Sequence, residues 1–226
     1  MSFPSVPSVI LTFDDAVSNH ATFVAPYLKQ LGFGATFYIT EMQGAGTNRF
    51  DTDKNQYLTW EQIREIHELG FEIGNHTAHH SAVHSVDRPA LIEAIAYIEH
   101  RCAEHGIPRP ETFCFPGGAE HPSALPVLTE CGYALARGCG DRAYRPAQDS
   151  PLSVPSFVIR EESEALFYQA LEAAKGEEIV VFTFHGVPDY NHPWVTTPRP
   201  MFEKMMTHLQ QTGRRVGAMR ELLSLA

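Results

Sequence analysis

The sequence predicts an α/β fold built on a parallel sheet, and three observations predict it. Strand-like and helix-like segments alternate along the chain, with no internal repeat, low-complexity tract or linker to divide it. The 226 residues, 43% of them hydrophobic, suffice for one domain with a sizeable core over residues 1–226, and single-domain barrels have this length. The side chains that carry chemistry fall just beyond the ends of apolar strands, the edge that holds the active site in parallel barrels and open sheets.

Taken in order, Val9–Phe13 is an apolar, β-branched run that reads as a strand buried on both faces. Ala21–Leu31 is helical, with Phe23, Val24, Tyr27, Leu28 and Leu31 on one face and Gly32 closing it. Ala35–Ile39 is the second strand, and residues 41–57 form a polar loop long enough to be functional. Thr59 and Gln62 make a capping box that opens a helix running to Leu69. Phe71–Asn75 is the third strand, and Arg88–His105 the next helix. Thr112–Phe115 is the fourth strand, halted by Pro116-Gly117-Gly118; a helix over Pro122–Glu130 and a strand over Tyr133–Arg137 follow. Phe157–Ile159, a helix over Ser163–Lys175, the strand Ile179–Phe184, a helix over Pro200–Gln211 and the short segment Arg215–Gly217 complete the chain.

Charge and composition exclude several function classes. A net charge of −10 and a pI near 5.6 leave no basic excess to displace counterions from a nucleic-acid backbone. No run approaches the roughly 20 apolar residues of a membrane span. No charged and then apolar leader is present in the sequence as given, so a cytoplasmic location is expected. Cys102, Cys114, Cys131 and Cys139 show no metal-ribbon spacing and read as reduced, structural thiols.

The first strand ends in adjacent carboxylates, Asp14 and Asp15, with no basic neighbour in sequence. Such a pair on its own reads as a solvated turn or a helix cap. The company it keeps changes that reading. The third strand delivers His76-Thr77-Ala78-His79-His80, three imidazoles in five residues, and the late strand delivers His185. Spacing leaves open which imidazoles share a cation: His76/His79, His76/His80 or His80/His84. Two neutral imidazoles and one carboxylate suit zinc, or another late divalent metal, with a position left for water. One aspartate then serves as ligand and the other as general base.

Thr12-Phe13-Asp14-Asp15, His76-Thr77-x-x-His80 and Phe184-His185 resemble three signature motifs of the polysaccharide deacetylases, the NodB-homology domains of carbohydrate esterase family four. The resemblance spans roughly residues 8–220, in the family's motif order. Phe182–Val187, with Trp194 downstream, resembles the bacterial subgroup related to the deacetylase-like domain of gellan lyase. The resemblance implies a distorted (β/α) barrel of six or seven parallel strands, with the active site at the C-terminal strand ends. It implies a metal-dependent hydrolase that removes acetyl groups, N-acetyl above all, from an acetylated carbohydrate. It makes Asp14 the general base, Asp15, His76 and His80 the metal ligands, and His185 the general acid. Gly117 would supply a backbone N–H to the oxyanion. The metal expected is divalent, zinc first, with Co2+, Ni2+ or Mn2+ as alternatives.

The third motif departs from the family's Arg-x-Pro-x-Gly. This chain reads Cys114-Phe115-Pro116-Gly117-Gly118, and lacks the arginine that pairs with the catalytic base. Arg137, at the end of the fifth strand, is the candidate replacement, against the alternative of an ordinary surface charge. Asp141 is a candidate to orient His185, or else part of a loop ion pair with Arg142. Tyr190, His192 and Trp194 follow His185, where aromatic rings stack on a sugar or pack the loop down. Trp194, Tyr190 and Pro116 are therefore the substrate-binding candidates. His20 and His67 read as structural or surface histidines. Rival readings keep the metal but take a small amide or an O-acetyl ester, or keep the fold as a non-catalytic carbohydrate-binding relative.

Overall fold

In the computed structural model, which describes residues 6–42 and 56–225, the apolar run Val9–Phe13 forms the central strand β1, buried throughout. It is followed by β2 (Thr36–Ile39), β3 (Glu72–Asn75), β4 (Thr112–Cys114), β5 (Leu135–Arg137), β6 (Phe157–Val158), β7 (Val180–Phe184) and β8 (Val216–Gly217). Seven strands run β5-β4-β3-β2-β1-β7-β6, with every pairing parallel. β7 pairs along the whole of one edge of β1. The other edge is split: β8 pairs with Val9 and Ile10, and β2 with Thr12 and Phe13.

The sheet curls into a half-barrel, and one stretch of chain spans its open side. Val154 exchanges backbone hydrogen bonds with Ala136 and Gly138 at β5, and three residues later Phe157 pairs with Phe182 of β7. This is the distorted parallel barrel, expected with six or seven strands, and it has seven along the main sheet path.

The helices are α1 (Ala25–Leu31), α2 (Trp60–Glu68), α3 (Arg88–Glu104), α4 (Leu125–Glu130), α5 (Glu164–Ala173) and α6 (Arg199–Thr212). The capping box at Thr59 is formed in both directions, with Gln62 N–H donating to Thr59 Oγ1 and Thr59 N–H to Gln62 Oε1. The helix expected over Ala21–Leu31 begins instead as a π-helical turn, His20–Val24. Pro26 has no N–H to continue the four-residue ladder, and the Ala25 N–H reaches back five residues to the His20 carbonyl. α4 starts three residues later than expected, with Pro126 in its first turn, where a missing N–H costs nothing. The expected loop over residues 41–57 lies largely outside the described residues.

Strand alternation divides the core. Val9, Leu11, Phe13, Phe37, Ile39, Phe182 and Phe184 face the helices, where Phe13 stacks on Phe37 and on Phe184. Ile10, Tyr38, Cys114, Leu135 and Val181 meet inside the barrel, over Met219 and Leu222 of the final 3-10 turn. All four cysteines are free. No helix among the described residues is long and apolar enough to cross a membrane.

Candidate active site

The same alternation selects the chemical residues. Counting on by twos from the inward-facing Ile10, Cys114, Leu135 and Val181 gives Asp14, Cys114 itself, Arg137 and His185. Counting from Glu72, which bonds Thr36 and Thr112 on neighbouring strands, gives His76. Asp15 has the opposite parity and belongs outside. It enters because Asp15 (φ 71°) and Ala16 (φ 52°) take the left-handed conformation and fold the chain back over the barrel end. The result is a cavity of about 400 Å³ lined by Asp14, Asp15, His76, His80, Arg137 and His185 among others.

Asp14 is buried, and its N–H continues the β1–β7 ladder by donating to the Phe184 carbonyl at 2.9 Å. One nitrogen of Arg137 donates to both its carboxylate oxygens, at 2.6 and 2.5 Å, and the same nitrogen touches Cys114 Sγ. Arg137 is itself only 1% exposed, which rules out the surface-charge reading. Burial pushes the Asp14 carboxyl up, but the Arg137 guanidinium, helped by His76 and His185, outweighs it and holds the pKa below its usual value. Cys114 thus stands where the resembled motif would have its arginine, and the guanidinium arrives from the next strand.

Asp15 Oδ1 lies 3.5 Å from His76 Nε2 and 3.3 Å from His80 Nε2, is buried, and has no hydrogen-bond partner. His76 Nδ1 sits 2.9 Å from the Cys114 carbonyl, which fixes Nδ1 as the protonated nitrogen and frees Nε2. The residues fit a divalent metal. Ligand atoms about 2.0–2.1 Å from a tetrahedral zinc are about 3.3–3.4 Å from each other, so the separations from Asp15 match. One atom from each of the three residues lies within 4.8 Å of the others. Burial raises the Asp15 carboxyl, and His76, His80 and His185 together pull it far below the usual range. Burial lowers His80 to about 4, so it is a neutral donor near pH 7. Asp14, His76 and Cys114 are also close enough to share an ion. That space is already held by the Arg137 cation, which argues against a metal there.

His79 is exposed, and His84 packs its ring against His121 at 5.8 Å, so of the open pairings the structure converges His76 and His80. His185 Nε2 is 3.9 Å from Asp15 Oδ2, and its Nδ1 is buried without a partner. Asp141 is exposed and does not line the cavity, and Arg142 pairs with Asp149. Neither sequence-based expectation for Asp141 therefore holds. Gly117 lines the cavity at φ +66°, and Gly118 is required by crowding: a Cβ there would meet Cys139 Sγ at 2.0 Å. Pro116 opens that turn, is buried and does not line the cavity, where the turn presents the glycines instead. Trp194 lines the mouth. Tyr190 is 85% exposed and is not among the residues that line it.

Asp189 escaped the sequence reading, which placed His192 among the rings of the loop and His20 as a structural or surface histidine. Buried Asp189 accepts from the N–H groups of Gly186, Asn191 and His192, and folds the loop so that His192 lines the cavity. His192 Nδ1 lies 3.6 Å from Asp189 Oδ2 and 3.8 Å from Asp15 Oδ2. His20 is buried, not a surface group; its Nε2 holds the His185 carbonyl at 3.0 Å, and burial lowers its pKa to about 4. Asp189-x-x-His192 has the spacing of a side chain capping its own turn, a signal that was available. Nothing local marks His20.

Among solved structures the chain is similar to a family 4 carbohydrate esterase from Streptomyces lividans in complex with acetate, at 18% identity and a TM-score of 0.61, over 94% of this chain and 98% of that one. It is similar to the Bacillus subtilis family 4 carbohydrate esterase PdaA at 16% identity and a TM-score of 0.65, over 96% and 80%. A CE4 family pseudoenzyme from Bacillus anthracis is similar at 14% identity and a TM-score of 0.65, over 98% and 66%. At these identities the likeness speaks for the fold. No curated protein sequence matches. The polysaccharide deacetylase family model matches residues 4–136, which take in Asp14, Asp15, His76 and His80 and stop short of His185. With more than half its length matched, the chain belongs to the polysaccharide deacetylase family.

Proposed function

We propose that this protein is a metal-dependent hydrolase that removes acetyl groups from a carbohydrate, N-acetyl in preference to O-acetyl. The observation that carries the reading is one cavity holding an arginine-paired carboxylate, Asp14, beside the converging donors of Asp15, His76 and His80. A relative that only bound sugar would have no physical need for a buried carboxylate kept ionised against its own desolvation.

When bound by Asp15, His76 and His80, a divalent metal supplies Lewis acidity towards the acetyl carbonyl and makes a water acidic near neutral pH. Zinc is the metal we assign, with cobalt, nickel and manganese compatible with the same donors. Asp14 takes a proton from the attacking water, and Arg137 keeps it ionised and aimed. The Gly117 N–H donates to the carbonyl oxygen as it gains charge. His185, held through its carbonyl by His20, gives a proton to the leaving nitrogen, so that water and amide become acetate and amine. Trp194 offers a ring at the mouth for a sugar face. The stretch Phe182–Val187 leads us to include the gellan-lyase-like subgroup in this proposal.

Acetate release from a panel of N- and O-acetylated mono- and oligosaccharides tests the reading, with zinc, with a chelator, and with Asp14→Asn as control. Release that the chelator and Asp14→Asn both abolish is the expected result. A zinc-loaded protein that releases nothing from any member would overturn it.

A further inference from the structure

The cavity carries one charged side chain for which the hydrolysis has no use. Arg160 lines the cavity, as do Trp194, Val195 and Cys139, and is exposed. Its backbone is fixed at the active-site end of the sheet, because the Ile159 N–H continues the ladder to Thr183 and the Arg160 carbonyl accepts from Ser163. Among the described residues Arg160 makes no ion pair and no side-chain hydrogen bond. Every other described arginine is committed to a carboxylate or to a backbone carbonyl. Glu161 and Glu162 follow it in sequence, but neither lines the cavity nor pairs with it.

The charge around it makes this unusual. The chain carries a net charge of −10, a field that repels anions. Inside the cavity the formally charged side chains are Asp14, Asp15, Arg137 and Arg160. Arg137 neutralises Asp14, and the imidazoles, or a metal, take up Asp15. Arg160 is left uncompensated at the entrance of an acidic protein. A guanidinium presents a planar fork that matches a carboxylate with two parallel hydrogen bonds.

We propose that Arg160 recognises a carboxylate on the substrate, so that the protein prefers acidic acetylated sugars over neutral ones. The proposal deepens the deacetylase reading and rests on it. The exposed Trp194 ring, which lines the same cavity, offers a face for the sugar that carries the acid.

The test compares N-acetylglucosaminuronate with N-acetylglucosamine, which differ only by a carboxylate in place of a hydroxymethyl group. N-acetylglucosamine 6-phosphate is a third arm. The zinc-loaded wild type, Arg160→Gln and Arg160→Lys are each assayed for acetate release and titrated with each sugar by calorimetry. A charge-assisted pair predicts a wild-type preference for the uronate of about tenfold or more. Arg160→Gln should bring that ratio to about one, mainly through KM, and Arg160→Lys should keep part of it. A wild-type ratio near one, a ratio that Arg160→Gln leaves unchanged, or no uronate binding overturns the proposal. A stronger preference for the 6-phosphate overturns the carboxylate assignment. If no sugar is hydrolysed, the deacetylase reading falls, and uronate binding lost in Arg160→Gln still decides for Arg160.

Discussion

The two ends of the barrel both bury carboxylates, and they treat them in opposite ways. At the N-terminal end of β3, Glu72 accepts from Thr36 and Thr112 at 2.6 Å and from the Arg220 N–H at 2.8 Å. Its hydrogen-bond donors are neutral, and burial outweighs them and the charge of Arg220, so its pKa is raised. At the other end Asp14 is held by a guanidinium, while Asp15 faces four imidazole nitrogens within 3.9 Å, those of His76, His80, His185 and His192, with one oxygen unpartnered. A satisfied buried carboxylate is a structural tie. An ionised one with an open lone pair is a candidate ligand site. Sequence position alone does not separate the two, since Glu72 and His76 lie on the same strand and face the same way.

Metal loading should separate the two carboxylates most strongly. Saturating zinc should stabilise the wild type by about 4 kcal/mol at 1,000 times its dissociation constant, read as a rise in melting temperature. Asp15→Asn should abolish that rise and reduce acetate release to background, and Glu72→Gln should leave the rise intact. Equal metal responses in Asp15→Asn and wild type would mean that the donor set is not the site.

Next in size is the charge pair. Arg137→Gln strands Asp14 as an unpaired buried carboxylate, at a cost of about 3–5 kcal/mol in denaturant unfolding. Asp14 loses the partner that depresses its pKa, so the acid limb of the pH–rate profile should move to higher pH. Adding Asp14→Asn should recover much of the lost stability, because the stranded charge goes with it. A double variant as unstable as Arg137→Gln would show that the guanidinium acts through packing on Tyr38, whose ring lies 5.4 Å away, rather than through charge.

What was legible in the sequence follows strand periodicity. The apolar runs marked the parallel sheet, and Asp14, His76, Arg137 and His185 are one step beyond or at the end of such runs. Arg137 was readable because counting by twos from Leu135 aims it inward. Asp15 and His80 came from the family motif, since their placement depends on positive φ at Asp15, Ala16, Thr77 and His80 that no local residue type announces. Composition shows an aromatic loop but not which ring lines the cavity, and there Trp194 does and Tyr190 does not. His20 and Arg160 depend on contacts or openness between segments more than 100 residues apart in one case and on the absence of partners in the other. Neither leaves a trace in local pattern.

The pH dependence of the unloaded protein sharpens the contrast. His20 has a pKa lowered from 6.5 to about 4, so the unfolded chain binds the extra proton between those values. Its contribution is therefore full above about pH 6.5 and is lost as pH falls towards 4, on the order of 3 kcal/mol at most. His20→Phe keeps the ring contacts with Phe13 and Phe37 but drops the bond to the His185 carbonyl. It should flatten unfolding free energy between pH 4 and 6.5 and lower turnover. An unchanged slope in His20→Phe would assign the acid sensitivity to other groups.

Glu72 should give the smallest effect, with the opposite sign. Its folded pKa is raised from 4.5, so the folded state binds the extra proton and its contribution declines as pH rises from about 4.5. Glu72→Gln keeps the shape, and the Thr112 hydroxyl can turn from donor to acceptor for the new amide N–H. The substitution should therefore change stability by about 1 kcal/mol or less at pH 5. At pH 8 the variant should gain on the wild type, because it no longer carries a charge that burial opposes. Denaturant unfolding at the two pH values reads the difference directly. If it is the same at both, Glu72 is ionised as comfortably inside as out, and the two ends of the barrel differ in their ligands but not in their electrostatics.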